Sequence, residues 1–354
     1  MSTQGLSATD ALTKAPTQAD VARVAQVSRA TVSYVLSGRR GGPISVAEET
    51  RQRVLRAAEQ LGYQPNAAAQ TLRLRSSRSI GVTIFDLNNP HSWQIVRGVD
   101  QEAKAQGYSL LLISTIMNAE RERESVRELL RRRIDGLILT QTHHNQLKKE
   151  FQILSRQHSA VVLLGNQTED LPDLDTVTPG HGDGAVQMMQ HLLELGHRRI
   201  GFVFGVAAKP LGSERMAAYC RLLHNAGVAP DESLVEYCGV TIADGYEAAL
   251  RLLQCRPRPT AILVINDLLA IGVLHAAAEQ GLRVPADISV AGFDDIDMAP
   301  YLNPALTTIR VNAEEVGCMA VRLILDRVRT PDRPPQHVCV PARLIQRDST
   351  GPAP

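Results

Sequence analysis

Between Thr17 and Leu36 the apolar residues Val21, Ala22, Ala25, Val27, Val32, Val35 and Leu36 recur at helical spacing and can form one buried seam. The pattern predicts two short helices joined by a tight turn, with Asp20 in the first turn of one and Ser28 capping the other. A loop rich in arginine and glycine, SGRRGGPIS, separates them from a third helix. There Ser45 and Glu48 stand at capping-box spacing, Thr50, Val54, Ala57, Ala58 and Leu61 form the inner face, and Gly62 is placed as the stop. Pro65 breaks the helix, and Asn66 can cap a short successor running to about Leu74. That segment has little to bury and is marginal alone. It is either a plain linker or a helix that forms against a partner.

From Ser79 the texture changes to alternating strand and helix signals. Apolar runs stand at IGVTIF, YSLLLIS, DGLILT and AVVLLG, separated by amphipathic stretches such as Ser92 to Gln106 and Glu120 to Arg133. After a polar break, NQTEDLPDLDT, the pattern restarts with RRIGFVFG, ESLVEYC, TAILVIN and DISVAGFDD. Continuous Val, Ile and Leu runs between helices imply buried parallel strands, and two sets of four units imply two similar α/β lobes. The late runs LTTIRV and VCVPARLIQR are placed to return the chain to each lobe.

A chain of 354 residues, 44% hydrophobic, is long enough for about two to three domains with sizeable cores. Its charge is unevenly spread. Thr17 to Arg78 holds ten arginines against four acids, a net +6, whereas the residues after Arg78 carry −5. A basic head on a mildly acidic body is the asymmetry expected when only the head meets a polyanion. The five cysteines are odd in number and scattered without a CxxC pair, which argues against a disulfide framework or zinc site and suits a reducing cytoplasm. Neither a membrane segment nor a secretory signal is visible, and residues 1–16 read as a flexible tail. No phosphate loop, nucleophile elbow or pair of catalytic carboxylates is present, so an enzyme is not expected, nor a cofactor. The histidines His143, His144, His181 and His191 lack ligand spacing and read as solvent-exposed loop residues, so no metal is expected either. In the head, an arginine and small residues at the start of the second helix suit a DNA groove; the alternative is an αα-hairpin found in any helical protein.

The chain resembles the lac/gal repressor (LacI/GalR) family of bacterial transcriptional regulators over nearly everything after the tail. The resemblance rests on DVARVAQVSRATVSYVLSG, EETRQRVLRAAEQLGYQPNAAAQTLR, SIGVTIFDLNNP, RIDGLILT, HLLELGHRRIGFV, ERMAAYCRLL, INDLLAIGVLHAAAEQGLRVPADISVAGFDDI, LTTIR and LIQRDST, all in order. It implies an all-α helix-turn-helix head at 17–62, a hinge helix and linker at 63–78, and a bilobed, periplasmic-binding-protein-like core of two parallel-sheet lobes at 79–350. The expected lobes are 79–175 plus 307–332 and 176–306 plus 333–350.

The resemblance further implies a cytoplasmic repressor that binds a near-palindromic operator as a homodimer and answers to a sugar-like effector between the lobes. Arg29 and Ala30 would face base edges, with Ser28, Thr31 and Ser33 near phosphates and Thr17 on the backbone. Tyr34 stands where the family commonly has arginine, and Gln26 replaces its usual turn glycine. Asn66, Ala69 and Leu72 match the hinge, whose leucine wedges between central base pairs from the minor groove. For the effector, the resemblance points to Arg215 and Asp267. Asp267 ends the strand AILVIN, and ligands of open α/β sheets bind beyond the carboxyl ends of strands; it is also a simple N-cap candidate. Phe293 is a pocket aromatic or a core residue. Trp93, Gln141 and His143 stand at pocket height. Gly180 and His181 replace an Asp-Asn pair common in the family.

Overall fold

The computed structural model describes residues 16–36, 46–63, 76–84, 86–115, 119–140, 150, 160–165, 173–204 and 213–354. Ser45, Asn66, Ala69, Leu72, Gln141 and His143 lie outside the described residues. The chain divides into two compact units between Ser77 and Arg78.

The first unit contains α1 (Gln18–Ala25), α2 (Arg29–Leu36) and α3 (Glu48–Gln60). Val21, Ala22, Ala25, Val32, Val35, Val54, Ala57 and Ala58 make its buried core, so the helical seam read from the pattern closes on itself. Thr17 caps α1 in a reciprocal box with Asp20. Gln26 takes the left-handed conformation of the tight turn, φ 52°, and Val27 N–H reaches back to Ala22. Gly62, φ 61°, stops α3, with Gly62 N–H on Glu59 and Tyr63 N–H on Ala58. The start of α3 differs from the expected capping box: its N-cap is Ala47 and no side chain caps it.

The second unit is two six-stranded sheets. The first contains β1 (Ser79–Ile84), β2 (Ser109–Ser114), β3 (Gly136–Thr140), β4 (Ala160–Leu164), β5 (Asp175–Pro179) and β11 (His337–Val340), in the order β11-β5-β4-β3-β1-β2. The second contains β6 (Ile200–Val203), β7 (Val235–Glu236), β8 (Ala261–Val264), β9 (Ser289–Asp294), β10 (Thr307–Val311) and β12 (Ala342–Ile345), in the order β12-β10-β9-β8-β6-β7. Every pairing is parallel except β10 with β12. The two orders are equivalent, which is the repetition seen in the apolar runs.

Helices cover both sheets. α4 (Pro90–Ala105), α5 (Ala119–Arg131) and α10 (Ala313–Arg329) belong to the first lobe; α6 (His181–Glu194), α7 (Ser213–Asn225), α8 (Ile242–Gln254) and α9 (Asp267–Glu279) belong to the second. The charged run in α5 is not wholly a solvated face, because Glu122 and Ser125 are buried beside Val126, Leu129 and Leu130.

Three segments cross between the lobes, and they correct the lobe boundaries expected from the sequence. β5 begins in the last two residues of what reads as a polar break; its Thr176 and Val177 are nonetheless buried, so the first sheet extends to Pro179. LTTIRV pairs with β9 as β10 and so belongs to the second lobe, while α10 directly after it packs on the first. VCVPARLIQR divides at Pro341, giving β11 to the first sheet and β12 to the second. At the first crossing Gly180 N–H donates to Val340 O, and a Cβ there would stand 3.0 Å from backbone atoms of Val340 and Ala342, so the backbone would have to give way to fit a side chain.

Candidate nucleic-acid interface and interlobe site

Helix α2 presents its first turn outward. Ser28, Arg29 and Ala30 are exposed, while Thr31, Ser33 and Tyr34 are half-buried against the head. Ser28 Oγ accepts from Thr31 N–H at 3.1 Å and shares a 2.9 Å hydrogen bond with the Thr31 hydroxyl, so it caps α2 as the sequence predicts. No acid stands in that first turn, leaving the positive end of the helix dipole and the Arg29 guanidinium as the local field. α1 differs: Asp20 accepts from Thr17 and pairs with Arg23, and these contacts, the Thr17 hydrogen bond first, hold its carboxyl below the usual range. The start of α2 is therefore electropositive and exposed, with Thr17 exposed at the start of α1.

In the second unit, polar side chains converge beyond the carboxyl ends of strands from both lobes. From the first lobe, Asn89 caps α4 and His91 lies in its first turn, just after β1. From the second come His181 at the start of α6, Arg215 on α7, and Phe293 and Asp294 at the end of β9. His91 Nδ1 is 3.8 Å from Asp294 Oδ1, and the His91 and His181 rings are 6.3 Å apart. Phe293 forms the wall, its ring 6.5 Å from that of His181 and 5.5 Å from the Arg215 guanidinium carbon. It is fully buried, so wall and core roles coincide.

Burial sets the electrostatics. It lowers the pKa of Arg215, opposed by Asp294 and Glu214, and raises that of Asp294, opposed by His91, Arg215 and a hydrogen bond from Asn89. Burial, then the Arg215 charge, puts His181 well below its ordinary value. Three buried nitrogens of this cluster have no hydrogen-bond partner: Arg215 Nε, His91 Nδ1 and His181 Nε2. Unpaired buried polar atoms are costly and uncommon in folded proteins, and here they converge on one place.

Arg215 belongs to this cluster, and Asp267 lies beside it, close enough to Asp294 for the two carboxylates to repel. Asp267 follows Asn266, which is the N-cap of α9, and its carboxylate is wholly buried within the second lobe. Oδ1 accepts from the Thr308 hydroxyl at 2.6 Å and Oδ2 from Ile296 N–H at 3.0 Å. Both oxygens hold the chain together, and Asp294 is the carboxylate of the cluster. The strand-end rule that singles out Asp267 applies equally to Asp294, at the end of DISVAGFDD. Trp93 is half-exposed, donates to Leu87 O at 2.8 Å, and lies two positions after His91, on the other side of α4. His91 was legible in Asn89-Pro90, a cap followed by proline at the first helical position, which sets the next residue in the opening turn. His181 is buried rather than an exposed loop residue, because the GHGDG segment opens a helix at the first crossing. His191 is half-buried and bonded to Thr350 and Gln346.

Both units of the chain have matches among known proteins. Residues 17–66 match the model of bacterial regulatory proteins of the lacI family, and residues 189–350 match a periplasmic binding protein-like domain. The HTH-type transcriptional repressor PurR of Edwardsiella ictaluri (strain 93-146) is 32% identical over 335 residues, covering 95% of this chain and 97% of the relative. The ribose operon repressor of Haemophilus influenzae is 31% identical over 333 residues, covering 94% and 98%. Among solved structures, the lac repressor dimer bound to operator and the anti-inducer ONPF superposes with a TM-score of 0.82 at 28% identity, covering 96% of this chain and all of that one.

Proposed function

The chain belongs to the lacI family of bacterial regulatory proteins, and is a DNA-binding transcriptional regulator rather than an enzyme; from that premise we propose how it works. It represses by binding a near-palindromic operator as a homodimer, and a small molecule between its lobes sets its affinity for that operator. The observation that carries the effector reading is the convergence of partnerless buried nitrogens of Arg215, His91 and His181 on the Asp294 carboxylate. A guanidinium opposite a carboxylate suits vicinal hydroxyls, so the effector is a sugar or sugar derivative. A nucleobase is the second reading, favoured by the ring wall of His91, His181 and Phe293.

At the head, Arg29 reads a guanine edge bidentately and Ala30 offers apolar contact, with Tyr34 beside them. Hydroxyls of Ser28, Thr31, Ser33 and Thr17 fix register on phosphates. Asn66, Ala69 and Leu72 form a hinge helix whose leucine enters the minor groove. Effector contact changes the lobe angle, the lobe angle changes hinge spacing in the dimer, and hinge spacing changes operator affinity. The protein acts in the cytoplasm, and no described helix is long and apolar enough to cross a membrane.

Two measurements test the reading. Selection from random duplexes is expected to return a two-fold symmetric site; asymmetric or absent selection overturns the operator reading. A thermal-shift screen of residues 78–354 against sugars, sugar phosphates and nucleobases is expected to return a ligand whose effect is lost in Arg215→Ala.

A further inference from the structure

We propose that His91, His181 and Asp294 form a site for one divalent transition-metal ion that bridges the two lobes. One ligating atom from each lies within 4.8 Å of the other two. The two imidazole nitrogens without hydrogen bonds, His91 Nδ1 and His181 Nε2, are the available donors, and Asp294 Oδ1 already stands 3.8 Å from the first. Zinc bonds to imidazole nitrogen and carboxylate oxygen are about 2.0–2.2 Å, so tetrahedral ligand atoms stand about 3.4 Å apart. A side-chain movement of about 1 Å or less closes the set.

The surroundings fit a metal. The far nitrogen of His181, Nδ1, lies 3.9 Å from Glu214 Oε1, which closes to a carboxylate–imidazole–metal arrangement with the same side-chain movement. Asn89 hydrogen-bonds the Asp294 carboxylate in the same supporting role. The Asp294 and Glu214 carboxyls flank the Arg215 guanidinium. The guanidinium is drawn aside over Phe293 and toward Ile265 O, at 3.5 Å. Two imidazoles and one carboxylate select zinc, cobalt or nickel over magnesium or calcium. Three protein ligands leave a fourth position open for water or an effector oxygen. His91 belongs to the first lobe and the other two ligands to the second, so the ion clasps one lobe to the other.

This site does not depend on the operator reading, and its test keeps the two apart. The full chain, stripped with a chelator, is titrated with cobalt(II) as a visible-spectrum probe and with zinc(II) by calorimetry. One ion per chain with four-coordinate cobalt absorption is expected. His91→Ala, His181→Ala and Asp294→Asn each weaken binding by more than about 100-fold, Glu214→Gln by about 10-fold, and exposed His275→Ala leaves it unchanged. Nuclear magnetic resonance of the wild-type chain adds an arm free of folding defects: paramagnetically shifted ring protons from two histidines are expected. Six-coordinate cobalt, no stoichiometric ion, or binding untouched by His181→Ala and Asp294→Asn overturns the site. Selected operator is assayed separately. Metal binding without operator binding sinks the operator reading alone; operator binding without metal sinks only this one.

Discussion

Asp267 Oδ1 accepts a 2.6 Å hydrogen bond from the Thr308 hydroxyl, joining the start of α9 to β10 across the second sheet. With Ile296 N–H on the other oxygen, the carboxylate is a brace within one lobe. Asp267→Ala strips the acceptor from two buried donors and is expected to cost the core on the order of 2–4 kcal/mol in urea unfolding. Asp294→Ala is expected to move the midpoint far less, yet to remove the thermal shift given by whichever screened compound binds. Reversed outcomes would exchange the two roles.

Asp175 makes a second brace, between β5 and the end of α10. Arg327 and Arg333 both grip its carboxylate at 2.8–3.1 Å, and Gln336 N–H is a third partner. Burial alone would raise its pKa, but the hydrogen bonds from Arg327, Arg333 and Gln336 bring it below the ordinary 3.8. Asp175→Asn is expected to cost about 3 kcal/mol or more near neutral pH, since it leaves two guanidiniums without a buried counter-charge. A depressed folded-state value stabilises above the ordinary value and loses that stabilisation as pH falls through the folded one. Urea curves for wild type and variant should therefore converge below pH 3.8.

His197 carries a pH signature of the same sign in a higher window. Its ring is buried between Thr260, Ser289 and Gly351 O. Burial, then nearby His191, lowers its pKa beneath the ordinary 6.5, against the pull of the Gly351 carbonyl. The unfolded chain takes up this proton first, so stability is flat above pH 6.5 and falls as pH drops toward the folded value. His197→Gln is expected to lower the melting temperature at neutral pH and to flatten its decline in this window. An unchanged slope would show that His197 does not titrate on unfolding.

Arg29→Ala is expected to weaken binding to the selected operator by about 1–3 kcal/mol, or about 5–150-fold, and to relax selection at one base pair of each half-site. Fluorescence anisotropy against single-base operator variants reads both effects. Uniform weakening at every sequence would place Arg29 on phosphate instead.

The periodic parts of this molecule were legible and the convergent ones were not. The seam Val21 to Leu36 and the apolar runs of both lobes declare themselves because burial on one face, or on two, writes a period into the chain. β5 escaped because its alternate positions are threonines, buried by β4 and β11 rather than by apolarity of their own. Asp267 and Asp294 both follow strands, and sequence cannot tell which carboxylate is satisfied by its own lobe. That depends on Thr308, 41 positions away. His181 looked exposed because three glycines and an aspartate surround it; only the first crossing, folded against Val340 and Ala342, puts it inside.

Pro341 has a mechanical consequence. Val340 ends one sheet and Ala342 begins the other, so at this crossing, the shortest of the three from sheet to sheet, the lobes are tied through a single residue whose flanking Cα atoms are each about 3.8 Å away. Gln187 grips the second side, donating to Ala342 O and accepting from Leu344 N–H, each at 3.1 Å. Such a tether has no slack to pay out. The Pro341 ring fixes one of the two backbone torsions, so the tether neither stretches nor swivels freely and acts as a stiff pivot. Whatever occupies the cleft can turn the lobes about this point, and displacement grows with the lever arm, so the residues that move furthest are those most distant from Pro341.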